Sequence, residues 1–164
     1  MMMQSAIEYD WFARRAVYSP LAIALKEAES GRVLTYSALN DAANAAAMRL
    51  QSECGVKFGD RVAILAENAL EHIILLGAAQ KLGFTLVPLN FRLTAAELDV
   101  VLSDSAPRVV LVEEKYRHVL ENVASARSVS AILSLTELFA NSSATKLASV
   151  SEVLITHDLP LLLL

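Results

Sequence analysis

Residues 79–98 read AQKLGFTLVPLNFRLTAAEL and contain every kind of boundary that an alternating helix–strand fold needs. The pattern predicts the end of an apolar helix, a stop at Gly83, a buried strand over Phe84–Leu89 and a second helix from Thr94. Glycine adopts the left-handed conformation that ends helices without a steric penalty. Thr94 followed by Glu97 fits a capping box, in which each side chain pairs with a free N–H of the first turn. The elements on both sides repeat this alternation, so we place the stretch in the middle of a parallel α/β sheet.

Further strands are predicted on both sides of this stretch. Arg61–Leu65 and Arg108–Val112 are almost entirely apolar, and Val129–Leu133 is a weaker candidate. An unbroken apolar strand is covered on both faces, which is typical of a parallel sheet with helices on each side. Pro88 lacks a backbone donor and therefore marks the end of its strand or the edge of the sheet.

The helices are predicted from apolar spacing and from residues that start or stop them. They begin near Thr35, Ala69, Thr94 and Lys115 and end near Gly55, Leu82, Ser103 and Ala126. Asn68 is the expected N-cap of the second helix. That helix is apolar almost all round and is therefore expected to be buried, with Gly77 marking a close backbone contact.

The two ends of the chain give less regular patterns. A short helix over Tyr9–Tyr18 should precede a small edge hairpin formed by Leu21–Leu25 and Arg32–Leu34. Residues 141–151 are rich in serine, alanine and threonine and suggest an irregular connection. Leu159–Leu164 fits an apolar strand without a following turn or cap, so we expect the polypeptide to be cut short there. The whole is interpreted as one incomplete layered α/β domain over residues 1–164.

Composition excludes several classes of protein. The chain has 164 residues, 55% of them hydrophobic, with a formal net charge of −4. It contains no basic cluster interleaved with aromatic residues, which argues against nucleic acid and against anionic membrane surfaces as partners. No apolar run is long enough for a transmembrane helix. The start of the chain does not fit a secretory signal, and the single cysteine excludes an internal disulfide, so a cytoplasmic location is expected.

Catalytic motifs are nearly absent. The sequence lacks the phosphate-binding loop G-x-x-x-x-G-K-[ST], the dinucleotide-binding turn and the hydrolase nucleophile elbow. The histidines at 72, 118 and 157 are too dispersed for a metal site, and His72 is expected to be exposed. The pair His157-Asp158 carries no implied nucleophile. Cys54 precedes a predicted helix stop and is interpreted as a packing residue.

Charged residues do follow the ends of predicted strands. Glu67 follows one strand, and Glu113 and Glu114 follow another. Ligands of open α/β sheets bind beyond the carboxyl ends of the strands, so a metal site is one hypothesis. The favoured hypothesis is that these side chains are solvated loop charges. Arg92 could bind an anion or anchor its loop, and anchoring is favoured.

The order of several sequence blocks resembles the superfamily of adenylate-forming enzymes, which includes acyl-CoA synthetases, peptide-synthetase adenylation domains and luciferases. The blocks are LTYSALN at 34–40, GVKFGDRVAI at 55–64 with Glu67-Asn68, and QKLGFTLVPLN at 80–90, continuing through Glu97-Leu98 to Asp104-Ser105. The resemblance covers about residues 20–115. The segment Asn90–Thr94 is more similar to the acyl- or aryl-CoA synthetase branch. Ala38 departs from the glutamate that the family often has there.

This resemblance implies an activity for a full-length parent. ATP and Mg²⁺ would activate a carboxylic acid as an acyl-adenylate, and the acyl group would then pass to coenzyme A. The family's phosphate loop, adenine motif, ribose-binding aspartate and C-terminal lid would all lie beyond residue 164. We therefore predict no catalytic, cofactor-binding or metal-binding residue in this chain, and no activity alone. The alternative is a non-enzymatic α/β module that oligomerises, through its uncovered C-terminal strand, or binds a partner at an exposed sheet edge.

Overall fold

The computed structural model describes residues 10–28 and 30–139, which form a four-stranded parallel sheet with helices on both faces and a separate hairpin. The helices are α1 (Trp11–Tyr18), α2 (Tyr36–Cys54), α3 (Leu70–Leu82), α4 (Ala95–Ser105), α5 (Arg117–Leu120) and α6 (Leu135–Phe139). The strands are β1 (Ile23–Lys26), β2 (Val33–Thr35), β3 (Arg61–Leu65), β4 (Thr85–Leu89), β5 (Val109–Val112) and β6 (Ala131–Ser134). The predicted α/β class and parallel sheet are confirmed.

The two central strands, β3 and β5, explain why helices are needed on both sides. Val62 and Ile64 pack into one core with α2, α3 and α6, whereas Ala63 and Leu65 pack into a second core with α4. Neighbouring strand residues point to opposite faces of a sheet, so a continuous apolar strand serves both cores.

The order of the strands corrects one prediction. The sheet runs β4-β3-β5-β6, so within the described residues β4 lies at an edge and not in the middle. Of the five residues in β4, only Leu89 is fully buried, which also contradicts a wholly buried strand. After α4 the chain crosses back over β3 and adds β5 on its far side, so β3 is the single neighbour of β4 among the described strands. Pro88 is exposed on this edge, as its missing donor requires.

Most helix boundaries agree with the sequence. Thr35 caps α2 by accepting a hydrogen bond from Ala38 N at 3.2 Å, and the capping box of Thr94 and Glu97 is present. Gly55 and Gly83 end their helices with φ of 63° and 77°, in the left-handed region. The predicted Asn68 cap is wrong. Ala69 occupies the N-cap position of α3 without a side-chain hydrogen bond, so this buried helix begins without the usual cap.

The segment from Lys115 to Ala126 is not the single helix that its apolar spacing predicts. It forms a 3-10 turn at Glu114–Tyr116, the four-residue α5, and a second 3-10 turn at Ser125–Ser128. The second turn is held by Asp99, whose Oδ1 accepts hydrogen bonds from Ser125 N and Oγ, each at 2.7 Å. These hydrogen bonds come from a different helix, 26 residues away in sequence, and they fix the turn in place of a continuous helix.

Two N-terminal features follow the predictions. β1 and β2 form the expected antiparallel hairpin, and α1 begins after the N-cap Asp10.

Gly77 does mark a close contact, because a Cβ there would lie 2.8 Å from the Cβ of Ala43 and 3.0 Å from the ring of Phe12. The absence of a side chain at Gly77 therefore lets α1, α2 and α3 meet.

Several predictions lie outside the described residues: the irregular connection at 141–151, the pair His157-Asp158 and the strand over Leu159–Leu164. The same limit applies to Glu29, which lies between the two predicted strands of the hairpin. Within the described ranges, no helix combines the length and hydrophobicity that a bilayer crossing requires.

Candidate functional site

The loops that follow β3, β4 and β5 meet at the carboxyl end of the sheet, where α/β proteins usually bind ligands. We call the side chains gathered there the carboxyl-edge cluster: Glu67, Phe91, Arg92, Glu113, Lys115 and Tyr116. The loops are fixed by the sheet itself, since Glu113 N donates to Leu65 O at 2.9 Å. This cluster contains all the strand-end charges that the sequence singled out except Glu114.

An ion-pair network occupies the centre of the cluster. Lys115 Nζ lies 2.9 Å from Glu67 Oε1 and 2.9 Å from Glu113 Oε1. Glu67 also accepts a hydrogen bond from Tyr116 Oη at 2.6 Å, and its backbone N donates to Glu113 Oε2 at 3.0 Å. The network therefore joins the loop after β3 to the loop after β5.

The protonation states follow from these contacts. The Tyr116 hydroxyl, and after it Lys115, lower the pKa of Glu67. The same bonds with Glu67 raise the pKa of Lys115 and of Tyr116. At neutral pH Glu67 is therefore ionised, Lys115 is charged and Tyr116 is neutral, so none of these three groups is poised as an acid or base.

The metal hypothesis for these carboxylates does not fit the geometry. Within the described residues, no group of three or more His, Cys, Asp or Glu side chains is arranged to hold a metal ion. The position between Glu67 and Glu113 that a cation would take is held by Lys115. Glu114 pairs instead with Arg117, at 3.1 Å.

Arg92 lies at the outer side of the cluster. Its guanidinium carbon lies 5.3 Å from the centre of the Phe91 ring, which in turn lies 5.6 Å from the Tyr116 ring. The loop is held instead by Asn90, whose Oδ1 accepts from Arg92 N at 3.0 Å and whose carbonyl accepts from Leu93 N at 3.1 Å. These hydrogen bonds assign the anchoring of the loop to Asn90, while the guanidinium of Arg92 is exposed.

The predicted exposure of His72 is wrong. The residue lies in the first turn of α3 and is only partly exposed, and its Nδ1 is buried without a hydrogen-bond partner. Burial lowers the pKa of His72, so the neutral ring is favoured. His118 is exposed on α5. The structure brings neither histidine together with a nucleophile.

Cys54 occupies the last position of α2 and packs, partly buried, against the core below it. Burial raises the pKa of its thiol, which keeps it protonated and unreactive at neutral pH. Arg108 Nε donates to the Cys54 carbonyl at 3.0 Å and so helps to end the helix. These contacts fit the interpretation of Cys54 as a packing residue.

A buried charged cluster was missed by the sequence analysis. Lys81 Nζ lies 2.6 Å from Asp10 Oδ2 and 2.7 Å from Asn40 Oδ1, beneath α1. Asp10 also caps α1 by accepting from Ala13 N at 2.9 Å. A lysine in the last turn of a mainly apolar helix was the available signal for burial. Its partners lie 71 and 41 residues away, and no local pattern identifies them.

Comparison with known proteins identifies relatives of this chain. The sequence model of the family "AMP-binding enzyme" matches residues 12–158. The long-chain-fatty-acid–CoA ligase FadD13 of Mycobacterium tuberculosis is 41% identical over 102 residues, which are 62% of this chain and 20% of that protein. The 2-succinylbenzoate–CoA ligase of Geobacillus kaustophilus is 34% identical over 129 residues, 79% of this chain and 26% of that protein.

Solved structures give the same picture of the fold. The N-terminal domain of FACL13 from Mycobacterium tuberculosis superposes with a TM-score of 0.74 at 31% identity, covering 85% of this chain and 37% of that one. A fatty acyl CoA synthetase from the same organism gives a TM-score of 0.73 at 31% identity, over 79% of this chain and 27% of that one. The chain thus spans about a fifth to a quarter of the two curated relatives named above.

Proposed function

Because the chain belongs to the family of AMP-binding enzymes, we propose that it forms the amino-terminal scaffold of an ATP-dependent acid–CoA ligase. In that reaction the carboxylate attacks the α-phosphorus of ATP, pyrophosphate leaves, and the CoA thiol then displaces AMP from the acyl-adenylate. The chain supplies packing and loop positions for this site and none of the groups that react.

The single observation that carries this proposal is that the charged side chains of the carboxyl-edge cluster are paired with one another. Its ammonium is shared by two carboxylates, and its tyrosine donates to one of them. A catalytic group needs a free proton or lone pair directed at the substrate. Glu67, Glu113 and Lys115 are instead paired with one another, which supports a structural role.

The substrate is proposed only as a carboxylic acid. The relatives' names specify a long-chain fatty acid for one and 2-succinylbenzoate for another. These acids share a carboxylate and differ in everything else, so the chemistry that they have in common is thioester formation with CoA. We propose a cytoplasmic location as well, on the basis of the single cysteine.

The Mg²⁺ that the family's reaction requires does not fit the residues described. The strand-end carboxylates are paired with Lys115 and Arg117, and no three metal-ligating side chains come together in the described part of the chain. We therefore propose no metal-binding role for the described residues, and ATP, Mg²⁺ and CoA are expected to bind groups supplied by other residues of a full-length parent.

Exchange of labelled pyrophosphate into ATP tests the scaffold proposal directly. The purified 164-residue chain should show no exchange with fatty, aromatic or dicarboxylic acids. A chimera in which this chain replaces the matching segment of FadD13 should exchange and form acyl-CoA, because the scaffold is then joined to the remaining machinery. Exchange by the chain alone would refute the scaffold proposal.

A matched pair of variants separates a scaffold from a reactive site in that chimera. Replacing Lys115 by Met, in the carboxyl-edge cluster, should leave the chemical step unchanged in single-turnover measurements. Replacing Lys81 by Met, beneath α1, should lower the yield of folded chimera but leave the turnover of the folded fraction unchanged. A chemical step slowed a hundredfold by Lys115→Met would place this ammonium in the catalytic machinery.

The alternative hypothesis of an oligomerising module receives limited support from the sheet edges. At the β4 edge, Pro88 removes one of the donors that an added strand would need. The C-terminal strand on which the hypothesis rested lies outside the described residues. Light scattering of the purified chain tests it, and a monomer at micromolar concentration would argue against it.

A further inference from the structure

The first turn of α3 contains a buried polar atom that the proposed function does not use. Nδ1 of His72 is buried and, among the described residues, has no hydrogen-bond partner. The residue as a whole is partly exposed, so its ring lies at the boundary between the core and solvent. Buried polar groups are nearly always paired in folded proteins, and an exception needs an explanation.

A protonated ring does not fit this position. The imidazolium carries an N–H donor on both nitrogens, so the proton on Nδ1 would point into the described core without an acceptor. Burying a charge in this way is costly. The positive end of the α3 dipole lies in the same turn and adds to the cost. The structure therefore holds the neutral form of His72.

The carboxylates that act on the ring do not offset this cost. Burial lowers the pKa of His72 and outweighs Glu71 and Glu113, which favour the charged ring. Both carboxylates already have cationic partners. Glu71 lies 2.8 Å from Arg32, and Glu113 lies 2.9 Å from Lys115. Neither carboxylate can turn to His72 without weakening its own ion pair.

The start of α3 is weakly held. Its N-cap residue, Ala69, makes no side-chain hydrogen bond to the first turn. The Ala69 carbonyl accepts from His72 N at 3.2 Å and favours the charged ring, but burial outweighs this effect as well. A helix without a side-chain cap is less stable at its first turn, so this turn opens more readily than the capped start of α4.

The loop that leads into this turn carries part of the carboxyl-edge cluster. Glu67 lies five residues before His72. Its backbone N donates to Glu113 Oε2 at 3.0 Å, and its carboxylate lies 2.9 Å from Lys115 Nζ. A displacement of the first turn would therefore displace Glu67 and weaken the contact between the loops after β3 and β5.

We propose that His72 is a pH-sensitive switch at the start of α3. When the ring takes up a proton it turns out into solvent, and the first turn of α3 opens together with the loop that carries Glu67. When the ring loses the proton, Nδ1 returns to its buried position and the carboxyl-edge cluster forms again. The opening is a property of the chain alone, so it holds whether or not a full-length parent is a ligase.

The size of the effect follows from the two states of the ring. In the open turn the exposed ring has the ordinary pKa of 6.5, whereas burial lowers the pKa in the closed turn. Below pH 6.5 the open state therefore binds a proton that the closed state does not, and the open fraction should rise up to about tenfold between pH 7.5 and pH 5.5. Glu67 stays ionised over this range, because its pKa lies below the ordinary value of 4.5.

Amide hydrogen exchange of the full chain, followed by NMR at pH 7.5 and pH 5.5, tests the proposal. The N–H groups of Ile74 and Leu75 bond to carbonyls of the first turn, four residues earlier in the helix. After correction for the intrinsic exchange rate at each pH, their protection should fall by up to about tenfold at the lower pH. Protection of Leu102, in the capped helix α4, should not change.

Two variants of His72 and one control assign the effect to this ring. His72→Phe keeps a ring without a titrating group and should show equal protection of Ile74 at both pH values. His72→Gln keeps a polar side chain, also without a titrating group, and should behave in the same way. His118→Phe removes the exposed histidine of α5 and should open as the wild type does. Circular dichroism should show that all three variants fold.

Unchanged protection of Ile74 and Leu75 in the wild type would overturn the proposal, because the ring would then stay closed or take up its proton in place. A loss of protection that persists in both His72 variants would also overturn it, since the acid response would then belong to another group. An equal loss at Leu102 would do the same, because it would show opening of the whole fold.

Discussion

Two lysines of this chain pair with carboxylates at similar distances but in opposite surroundings. Lys81 Nζ lies 2.6 Å from Asp10, and its side chain is 7% exposed. Lys115 Nζ lies 2.9 Å from both Glu67 and Glu113, and its side chain is 47% exposed. Water screens the second set of charges and is excluded from the first, so similar contacts have different consequences.

The buried pair determines structure. Without Asp10, the ammonium of Lys81 would lie beneath α1 with its hydrogen bond to Asn40 but without its counterion. A buried charge without its counterion is costly, so the pair specifies where α1 docks. The exposed network instead joins two loops whose course the sheet already fixes. The buried lysine therefore matters for folding, and the exposed one for the local arrangement of the carboxyl edge.

The largest expected effect is that of Lys81→Met. Methionine keeps the length of the side chain but leaves Asp10 charged and buried, so we expect the free energy of unfolding to fall by about 3–5 kcal/mol. Chemical denaturation of the chain measures it. Lys115→Met is the matched control and should cause no measurable loss, because exposed ion pairs contribute little.

A double-variant cycle sharpens this test. If the pair acts as a unit, Asp10→Asn combined with Lys81→Met should cost clearly less than the sum of the two single variants. Additive losses would mean that the two residues stabilise the fold independently. If Lys81→Met and Lys115→Met lowered the free energy of unfolding equally, the distinction between the two clusters would be removed.

Asp10→Asn alone should have the next largest effect. Asparagine retains an oxygen for the N-cap bond to Ala13 N and for Lys81, but it removes the negative charge. A hydrogen bond to a charged group contributes about 1.5–3 kcal/mol, and we expect a loss of about 2 kcal/mol. The amides of α1 should exchange with deuterium faster than those of α3. Uniform acceleration in both helices would indicate a global effect without local release of α1.

The sequence predicted the elements of the fold well and their neighbours less well. The apolar runs around Val62 and Val110, and the stops at Gly55 and Gly83, depend on local chemistry that the sequence shows directly. The edge position of β4 depends on where the chain crosses after α4, which no residue of β4 encodes. Ser125 interrupts a predicted helix because Asp99, on another element, accepts its hydrogen bonds.

The same reasoning explains the candidate site. The strand-end charges Glu67 and Glu113 could be located from their positions after apolar strands. Their neutralisation by Lys115 could not, because Glu67 and Lys115 are distant in sequence and meet only after β3 and β5 pair. Lys81 shows a second limit of the sequence. Its burial could be suspected from the apolar helix that contains it, but its partner Asp10 could not be identified.

Asn90 offers a smaller test within the exposed region itself. Its side chain accepts one backbone bond of the loop after β4, so Asn90→Ala should lower the free energy of unfolding by about 1 kcal/mol. Arg92→Gln should change it by less than about 0.5 kcal/mol, because the guanidinium is exposed and lies over the ring of its neighbour Phe91. Thermal denaturation measures both variants. A larger loss for Arg92→Gln would restore the loop-anchoring role that the sequence suggested for Arg92.

The smallest expected effect is the pH dependence of the exposed network, probed with Glu67→Gln. Hydrogen bonds from Tyr116 and Lys115 lower the pKa of Glu67 below its ordinary value of 4.5. Its stabilisation is therefore present above that pH and is lost as the pH falls through the lower, folded value. The bond to Glu67 raises the pKa of Tyr116 above its ordinary value of 10.0, so that contribution is present below pH 10.0 and is lost as the pH rises through the folded value.

The difference in stability between wild type and Glu67→Gln should therefore be largest between these limits and vanish on both sides of them. Urea denaturation across the pH range measures that difference. Glu121→Gln, an exposed substitution outside the network, should show no such window. High salt should reduce the difference in stability between wild type and Glu67→Gln. It should leave the difference between wild type and Lys81→Met unchanged, because buried charges are screened much less than exposed ones. If salt changed the stability difference between wild type and Lys81→Met, water would have to reach the buried pair.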